Sequence, residues 1–249
     1  MCLIVVGWRV HPDYPLVVAA NRDEFYRRPT AFAGFWPDAP DVLGGRDLEA
    51  GGTWLGITRA GRFAAVTNVR ESGAPPGRHS RGQLTRSFLT DTRSAADYLA
   101  GIDMAAYSGF NLLVCDGCSL WYASNRGAAS AELMPGIYGL SNHLLDSPWP
   151  KLVSARQRGA GAILALPART ALFSLLADDE IVRDDELPAT GVPLEWERLL
   201  SAIFVRSADY GTRASSVVAV GSTGGIDFEE RSFGPAGVPL QSSVMSTAV

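Results

Sequence analysis

Met1-Cys2-Leu3-Ile4-Val5-Val6 opens the chain with a cysteine directly behind the initiator methionine and ahead of an apolar, β-branched run. The run reads as a short buried strand, so a small reactive side chain stands at a strand's mouth. Removal of Met1, expected when the next side chain is as small as cysteine, would leave Cys2 with a thiol and a free α-amine on one residue. An α-amine titrates at about 7.7 to 8.0 and a free thiol at about 8.5, so the amine can take the thiol proton near neutrality and later return it to a leaving group. A base tethered in this way is an established route to an activated nucleophile. The competing reading is an inert thiol, because free cysteine is among the most buried residue types.

Outward from that stretch, residues 2 to 8 and Leu16 to Ala20 read as two buried strands separated by a turn at His11-Pro12-Asp13. The second runs straight into Asn21-Arg22-Asp23-Glu24, polar residues where an apolar strand stops, which is either a solvated loop or the mouth of a site. Pro29, Pro37 and Pro40, then Gly44-Gly45 and Gly51-Gly52, predict irregular chain. A hairpin across Ala60-Gly61 delivers Asn68 to a strand end. Ser80 and Gln83 have capping-box spacing for a helix through Leu89, and a second short helix covers Ala95 to Ala100. Phe110 to Val114 and Leu120 to Ala123 flank Asp116-Gly117 as another hairpin, and Ile137 to Leu140 is a strand leading to Ser141-Asn142-His143.

Ser147-Pro148 predicts a helix start, Thr170 to Leu176 a further helix, and Pro193 to Phe204 another. Arg213 to Val220 and Ile226 to Phe233 read as paired strands, with a frayed tail after Pro239. Strands at both ends with helices between them predict antiparallel sheets carrying helices on their outer faces, in one domain over residues 1–249.

Composition narrows the function. At 249 residues, 47% apolar and 19% charged, the chain is globular and large enough for a sizeable core. The net charge is −4, and the cations are arginines scattered singly, with Lys151 the only lysine, which argues against a nucleic-acid partner. Arg9 interrupts the apolar start, no charged segment precedes it, and no apolar run approaches the ~18 residues of a membrane span. A cytoplasmic location is the expectation.

Most local motifs read as structural. Cys115-Asp116-Gly117-Cys118 has dithiol spacing, but it flanks a hairpin turn instead of opening a helix. No second pair completes a metal set, so no metal is expected. Asp178-Asp179-Glu180 with Asp184-Asp185-Glu186 lacks the order of a calcium loop and reads as solvated chain. The glycine pairs match no phosphate-binding loop, and no serine stands in a nucleophile-elbow motif. What remains is Cys2, Asn21 to Glu24, Asn68, Asn142 and Arg213, each at the end of an apolar strand. Together they would supply a thiolate, a carboxylate, amide donors and a guanidinium, the inventory for acyl transfer. A well-placed amide donor to the oxyanion contributes roughly 3 to 4 kcal/mol.

The stretches Met1-Cys2-Leu3-Ile4, Ala19 to Phe25 with its Asn21-Arg22-Asp23-Glu24, Gly51 to Ile57, Thr67-Asn68-Val69-Arg70, Ser80-Arg81-Gly82, Leu140 to His143, Pro193 to Glu197 and Tyr210 to Arg213 follow one another in the order of the NRDE family, also called the transport and Golgi organisation 2 family. The sequence resembles that family over nearly its whole length. The resemblance implies an α+β, four-layer αββα fold similar to N-terminal nucleophile hydrolases, most like the choloylglycine hydrolase and penicillin V acylase branch. It further implies Cys2 as nucleophile, Asp23 orienting the α-amine, Asn68 and Asn142 lining the oxyanion site and Arg213 steadying the thiolate, with Asn21, Arg22, Trp54 and His143 as binding residues. Adjacent strand residues face opposite ways, so if Asp23 faces Cys2 then Asn21 does too, and Arg22 points away.

The substrate expected on this reading is a small amide or thioester, with no required cofactor. The family is also associated with haem mobilisation and lipid homeostasis. A non-catalytic carrier of haem or another apolar ligand is therefore the alternative, using Cys2 or His143 as ligand and Trp8, Phe25, Trp36 and Trp54 as lining.

Overall fold

The computed structural model describes residues 2–73 and 75–247. In chain order its strands are β1 (Cys2–Trp8), β2 (Leu16–Phe25), β3 (Thr30–Trp36), β4 (Ala39–Asp47), β5 (Leu55–Thr58), β6 (Phe63–Asn68), β7 (Phe110–Cys115), β8 (Leu120–Ser124), β9 (Ala131–Glu132), β10 (Gly136–Leu140), β11 (Tyr210–Val220), β12 (Ile226–Phe233) and β13 (Pro239–Thr247). Its helices are α1 (Gly82–Leu89), α2 (Ala95–Ala100), α3 (Pro150–Leu164), α4 (Thr170–Leu176) and α5 (Leu194–Leu199). One sheet runs β10-β1-β2-β11-β12-β13 and the other β3-β4-β5-β6-β7-β8-β9, with antiparallel pairing throughout.

The continuous apolar character of β1 and β2 has a simple cause, namely that both faces of their sheet are covered. Ile4, Val6, Val18, Leu55, Phe63 and Leu113 fill the space between the sheets. Leu3, Val5, Val17 and Ala19 point the other way, against Leu152 and Ile163 of α3 and Leu172 of α4. On the far side, Leu84 and Phe88 of α1 and Leu99 of α2 cover Ala64, Leu112 and Val114. The result is the four-layer αββα order. Among the described residues, no helix is long and apolar enough to cross a membrane.

Five expectations about local structure need correction. The proline- and glycine-rich stretch after Pro29 is the hairpin β3–β4, because β3 is an edge strand and Pro40 lies outside the β4–β5 ladder, which involves Val42 and Leu43. Proline is tolerated where no ladder N–H is required. The tail after Pro239 is β13, held by its backbone ladder to β12; its side chains are mostly exposed, so no apolar alternation announces it.

No side-chain cap forms at Ser80. Arg81 occupies the N-cap of α1, and Ser80 contributes only its carbonyl, which accepts from Gln83 N at 3.0 Å. Helix α3 starts at Pro150 instead of Pro148, because the Ser147 hydroxyl is engaged by Leu144 O and His143 Nδ1. Helix α5 stops at Leu199, and the carbonyls beyond it are committed elsewhere: Leu200 O accepts from Lys151 and Ile203 O from Asn21.

Candidate active site

Cys2 begins β1 on the same face as Ile4 and Val6, where the space between the sheets opens into a cleft of about 130 Å³. Arg22, Asp23, Trp54, Asn68 and Arg81 line that cleft with it. The residue as a whole is partly exposed, yet its sulfur is enclosed enough that burial pushes the thiol above its ordinary range. The Asp23 charge adds to that push, whereas Arg22 and a hydrogen bond from the Asp23 N–H to sulfur oppose it. A thiol held in this way stays protonated near neutrality, so nucleophilic use of it requires a local base.

The face assignment of the Asn-Arg-Asp-Glu stretch is the reverse of the sequence expectation. These residues do not follow β2; they continue it, and Cys2 pairs directly with Arg22. Arg22 therefore shares the inner face with Cys2, while Asn21 points into the layer beneath α4. Arg22 is 5% exposed, its guanidinium lies 4.2 Å from the centroid of the Trp54 ring, and Nη1 donates to Thr30 Oγ1 at 3.1 Å. Gly45 makes room for that indole: a Cβ there would come within 2.1 Å of Trp54. Asn21 acts as a tie, donating from Nδ2 to Leu176 O and Ile203 O, each at 2.8 Å, and accepting from Ser215 Oγ at 2.7 Å.

Asp23 is buried, and its Oδ1 accepts from Thr212 Oγ1 at 2.7 Å. Burial raises its pKa; the Lys151 charge, the Thr212 hydrogen bond and the Arg70 charge work against the rise. Lys151 is itself buried in the first turn of α3, with Nζ donating to Leu200 O at 2.7 Å. Burial lowers it from 10.5 to about 8.

Between those pH values the unfolded chain holds a proton that the folded chain has released, so this residue makes stability rise with pH across that window. The stability of the native protein relative to Lys151→Met is accordingly expected to climb from pH 8 to 10.5, read from chemical denaturation midpoints. Parallel curves for the two proteins would show that Lys151 has no such role.

Asn68 ends β6 at the cleft, and it is held by its neighbours. Asn142, fully buried, donates from Nδ2 to Asn68 O at 3.0 Å, while its own carbonyl accepts from Arg70 N at 2.7 Å. Asn142 thus fixes Asn68 from behind and does not line the cleft. Next to it, Ser141 Oγ donates to Cys2 O at 3.0 Å and anchors the start of β1.

Arg213 is not at Cys2. It is the extra residue where the β2–β11 register shifts between Thr212 and Ala214, and its Nη1 donates to Phe25 O at 3.1 Å and Arg28 O at 2.5 Å. His143 is exposed beside Ser147 and Trp149.

The four aromatics considered as a ligand pocket are dispersed. Trp8 lies in the inter-sheet core, Trp36 in the outer core with its Nε1 on Gly44 O, and Phe25 against Tyr210; Trp54 alone of the four lines the cleft. Arg81 is among the cleft residues that strand-end reasoning missed, with Arg28 and Asp47; it belongs to a helix start, and its signal was the Ser80-Arg81-Gly82 match. Cys115 is buried and Cys118 exposed, both free thiols. The acidic cluster pairs with arginines, as in Arg198–Asp184 at 2.6 Å and Arg206–Asp179 at 2.7 Å. Among the described residues, no three or more metal-ligating side chains gather into a site.

Comparison with known proteins agrees with this geometry at the level of family and fold. The family model described as Transport and Golgi organisation 2 matches residues 1–235. The mouse Transport and Golgi organization 2 homolog is 36% identical over 259 residues, and the bovine homolog 38% over 258; each alignment covers 93% of both chains. The Drosophila melanogaster Transport and Golgi organization protein 2 is 29% identical, with 92% of this chain and 91% of that one covered.

Two solved structures share the fold at low identity. The Caenorhabditis elegans ortholog of N-acylethanolamine-hydrolyzing acid amidase superposes with a TM-score of 0.51 at 13% identity, covering 87% of this chain and 92% of that one. The C2A mutant of conjugated bile acid hydrolase from Clostridium perfringens gives 0.51 at 10%, covering 99% and 92%. The chain belongs to the Transport and Golgi organisation 2 family, and its two sheets between helical layers have the fold of N-terminal nucleophile hydrolases.

Proposed function

We propose that this protein is a cysteine N-terminal nucleophile hydrolase acting on a small amide or thioester. The observation that carries the reading is the convergence of Cys2 and Asn68 on one cleft, with Arg22 opposite the cysteine and Asp23 behind it. Met1, on whose removal the free amine depends, lies outside the described residues. The two structures that share the fold add support, being named an acid amidase and a bile acid hydrolase, the latter with its position-2 cysteine changed to alanine.

In the proposed reaction the α-amine of Cys2 takes the Sγ proton as sulfur attacks the substrate carbonyl carbon. The carbonyl oxygen becomes an oxyanion facing the Asn68 amide, while Asp23 holds the protonated amine. Collapse of the adduct breaks the carbon–nitrogen or carbon–sulfur bond, and the ammonium gives its proton to the leaving group. This leaves a thioester on Cys2. Water, deprotonated by the same amine, then releases the acid and restores the thiol. The cleft, at about 130 Å³, is well below the ~300 to 1,000 Å³ of pockets for drug-sized ligands, which favours a small acyl group.

The test is intact mass of protein purified from cells, before and after brief exposure to a small aryl thioester. Loss of Met1 and a single acyl adduct on Cys2, removable by hydroxylamine, are expected. Retention of Met1 in the purified protein would refute the mechanism.

A further inference from the structure

Besides Arg28, the cleft contains two guanidiniums that the reaction above does not require in such number. Arg22, 5% exposed, spends its contacts on the Trp54 ring and Thr30 Oγ1. Arg81, at the N-cap of α1, donates from Nη1 to Gly109 O at 3.1 Å. Among the described residues neither forms an ion pair, in contrast to Arg28 on the same cleft, which pairs with Asp47 at 2.9 Å and Glu49 at 3.3 Å. Glu24 and Asp47 also line the cleft and their charges act on Arg22, but Glu24 Oε1 accepts from the Phe25 N–H at 2.9 Å, Asp47 pairs with Arg28, and among the described residues neither carboxylate forms an ion pair with Arg22 or Arg81.

A guanidinium is retained out of water at a cost when no carboxylate is paired with it directly, and its planar fork matches a carboxylate. Helix α1 points the same way: its first turn has no acidic residue, and Gly82 at its start lines the cleft. Positive partial charge therefore adds to the two side chains. That start is held close to the β4–β5 connection, where a Cβ on Gly52 would come within 2.3 Å of Gly82 O. Apolar lining is confined to Val66 and the Trp54 ring.

We infer that the substrate of this cleft is anionic, an acyl donor bearing a carboxylate close to its reactive carbonyl, held between Arg22 and Arg81 while the carbonyl faces Cys2. The inference rests on the hydrolase reading for the identity of the reaction. It concerns recognition, however, and is measurable without turnover.

The experiment compares alkylation of Cys2 by iodoacetate and by iodoacetamide in the full chain, with exposed Cys118 as internal reference. The iodoacetate-to-iodoacetamide rate ratio at Cys2 is expected to exceed that at Cys118 by on the order of tenfold and to shrink with added salt. Arg81→Gln should reduce the ratio, Arg81→Lys should keep most of it, and Arg22→Gln should also reduce it if that buried change folds. Equal ratios at the two cysteines, or no effect of Arg81→Gln, would overturn the proposal.

Should Cys2 resist both reagents, thermal melting with added ligand decides. Succinate must raise the midpoint of the native protein but not of Arg81→Gln, and neutral succinamide must raise neither. No shift with succinate overturns the proposal, and an equal shift with inorganic phosphate overturns the carboxylate assignment. A high ratio in a protein that retains Met1 would leave anion recognition standing and remove the hydrolase mechanism. An acyl-enzyme with equal ratios would do the reverse.

Discussion

Cys2→Ala is expected, on the proposed mechanism, to abolish acylation of the protein by small thioesters and to lower their turnover by ~10³-fold or more, the order seen when a catalytic nucleophile is removed. The substitution is mild for the fold. The side chain stands at the first position of β1 over the cleft, so little packed volume is lost and the melting midpoint should stay close to native. Alanine also leaves a small residue behind Met1, so the removal of Met1 that the mechanism requires is expected to be unaffected and the variant tests the sulfur alone. Cys2→Ser is the companion. It retains a weak nucleophile beside the same amine, and a residual rate above Cys2→Ala would show that the amine acts as base. The measurement is steady-state thioester hydrolysis together with intact mass. Native-like turnover in Cys2→Ala would place the chemistry elsewhere.

The largest stability effect is expected at Glu197→Ala. Glu197 of α5 and Arg70 form an ion pair at 2.5 Å with side chains only 5% and 2% exposed. The carboxylate also accepts from Thr190 N at 2.9 Å and Thr190 Oγ1 at 2.5 Å, while Arg70 lies 4.7 Å from the Trp149 ring centroid. Removing the acid takes its ion-pair carboxylate away from a buried guanidinium, which costs about 3 to 5 kcal/mol. For a chain of this length each kcal/mol moves the melting midpoint by roughly 2 to 4 °C, so a drop on the order of 10 °C is expected in calorimetry.

Replacing both partners by apolar residues should cost less than the two single losses added together, because no unpaired charge is then left inside. The pair also touches the candidate site. Arg70 N holds Asn142 O, and Asn142 Nδ2 holds Asn68 O, so Glu197→Ala should loosen Asn68. Unchanged melting would show that the ion pair contributes nothing net.

Legibility of the fold followed side-chain patterning. Where burial on one or both faces left a periodic or β-branched run, as in β1, β5 to β8, β11 and β12, the strands are where the sequence puts them. Where backbone pairing does most of the holding, as in β13 at the edge of its sheet, composition gave no sign of a strand, and β3, though Ala33 and Trp36 are buried, was hidden by the prolines around it. Helix starts failed for a related reason. Spacing alone puts the hydroxyls of Ser80 and Ser147 at local caps, but whether a side chain caps depends on what else reaches it, and Ser147 is taken by Leu144 and His143.

Cys2, Asp23, Asn68 and Asn142 were all legible as polar residues beside apolar strands, and three of the four line the cleft. Arg22 shows the limit of such reasoning: alternation gives relative faces along a strand, and only the Cys2–Arg22 register says which set meets the cysteine. Arg213 shows another, since a register shift re-aims a side chain without any mark in composition.

What the sequence by itself determined is the family, the layered α+β class and a cysteine directly behind the initiator methionine, because these depend on residue order and local period. What only the tertiary structure decided is which side chains share the space above that cysteine. Arg81 arrives there from a helix start and Arg22 by strand register, while Lys151 acts on Asp23 from beneath the sheet, across separations in the chain that no local pattern encodes. Convergence of that kind is set by packing of the four layers, and it is this packing that makes Cys2 part of the lining of a charged cleft.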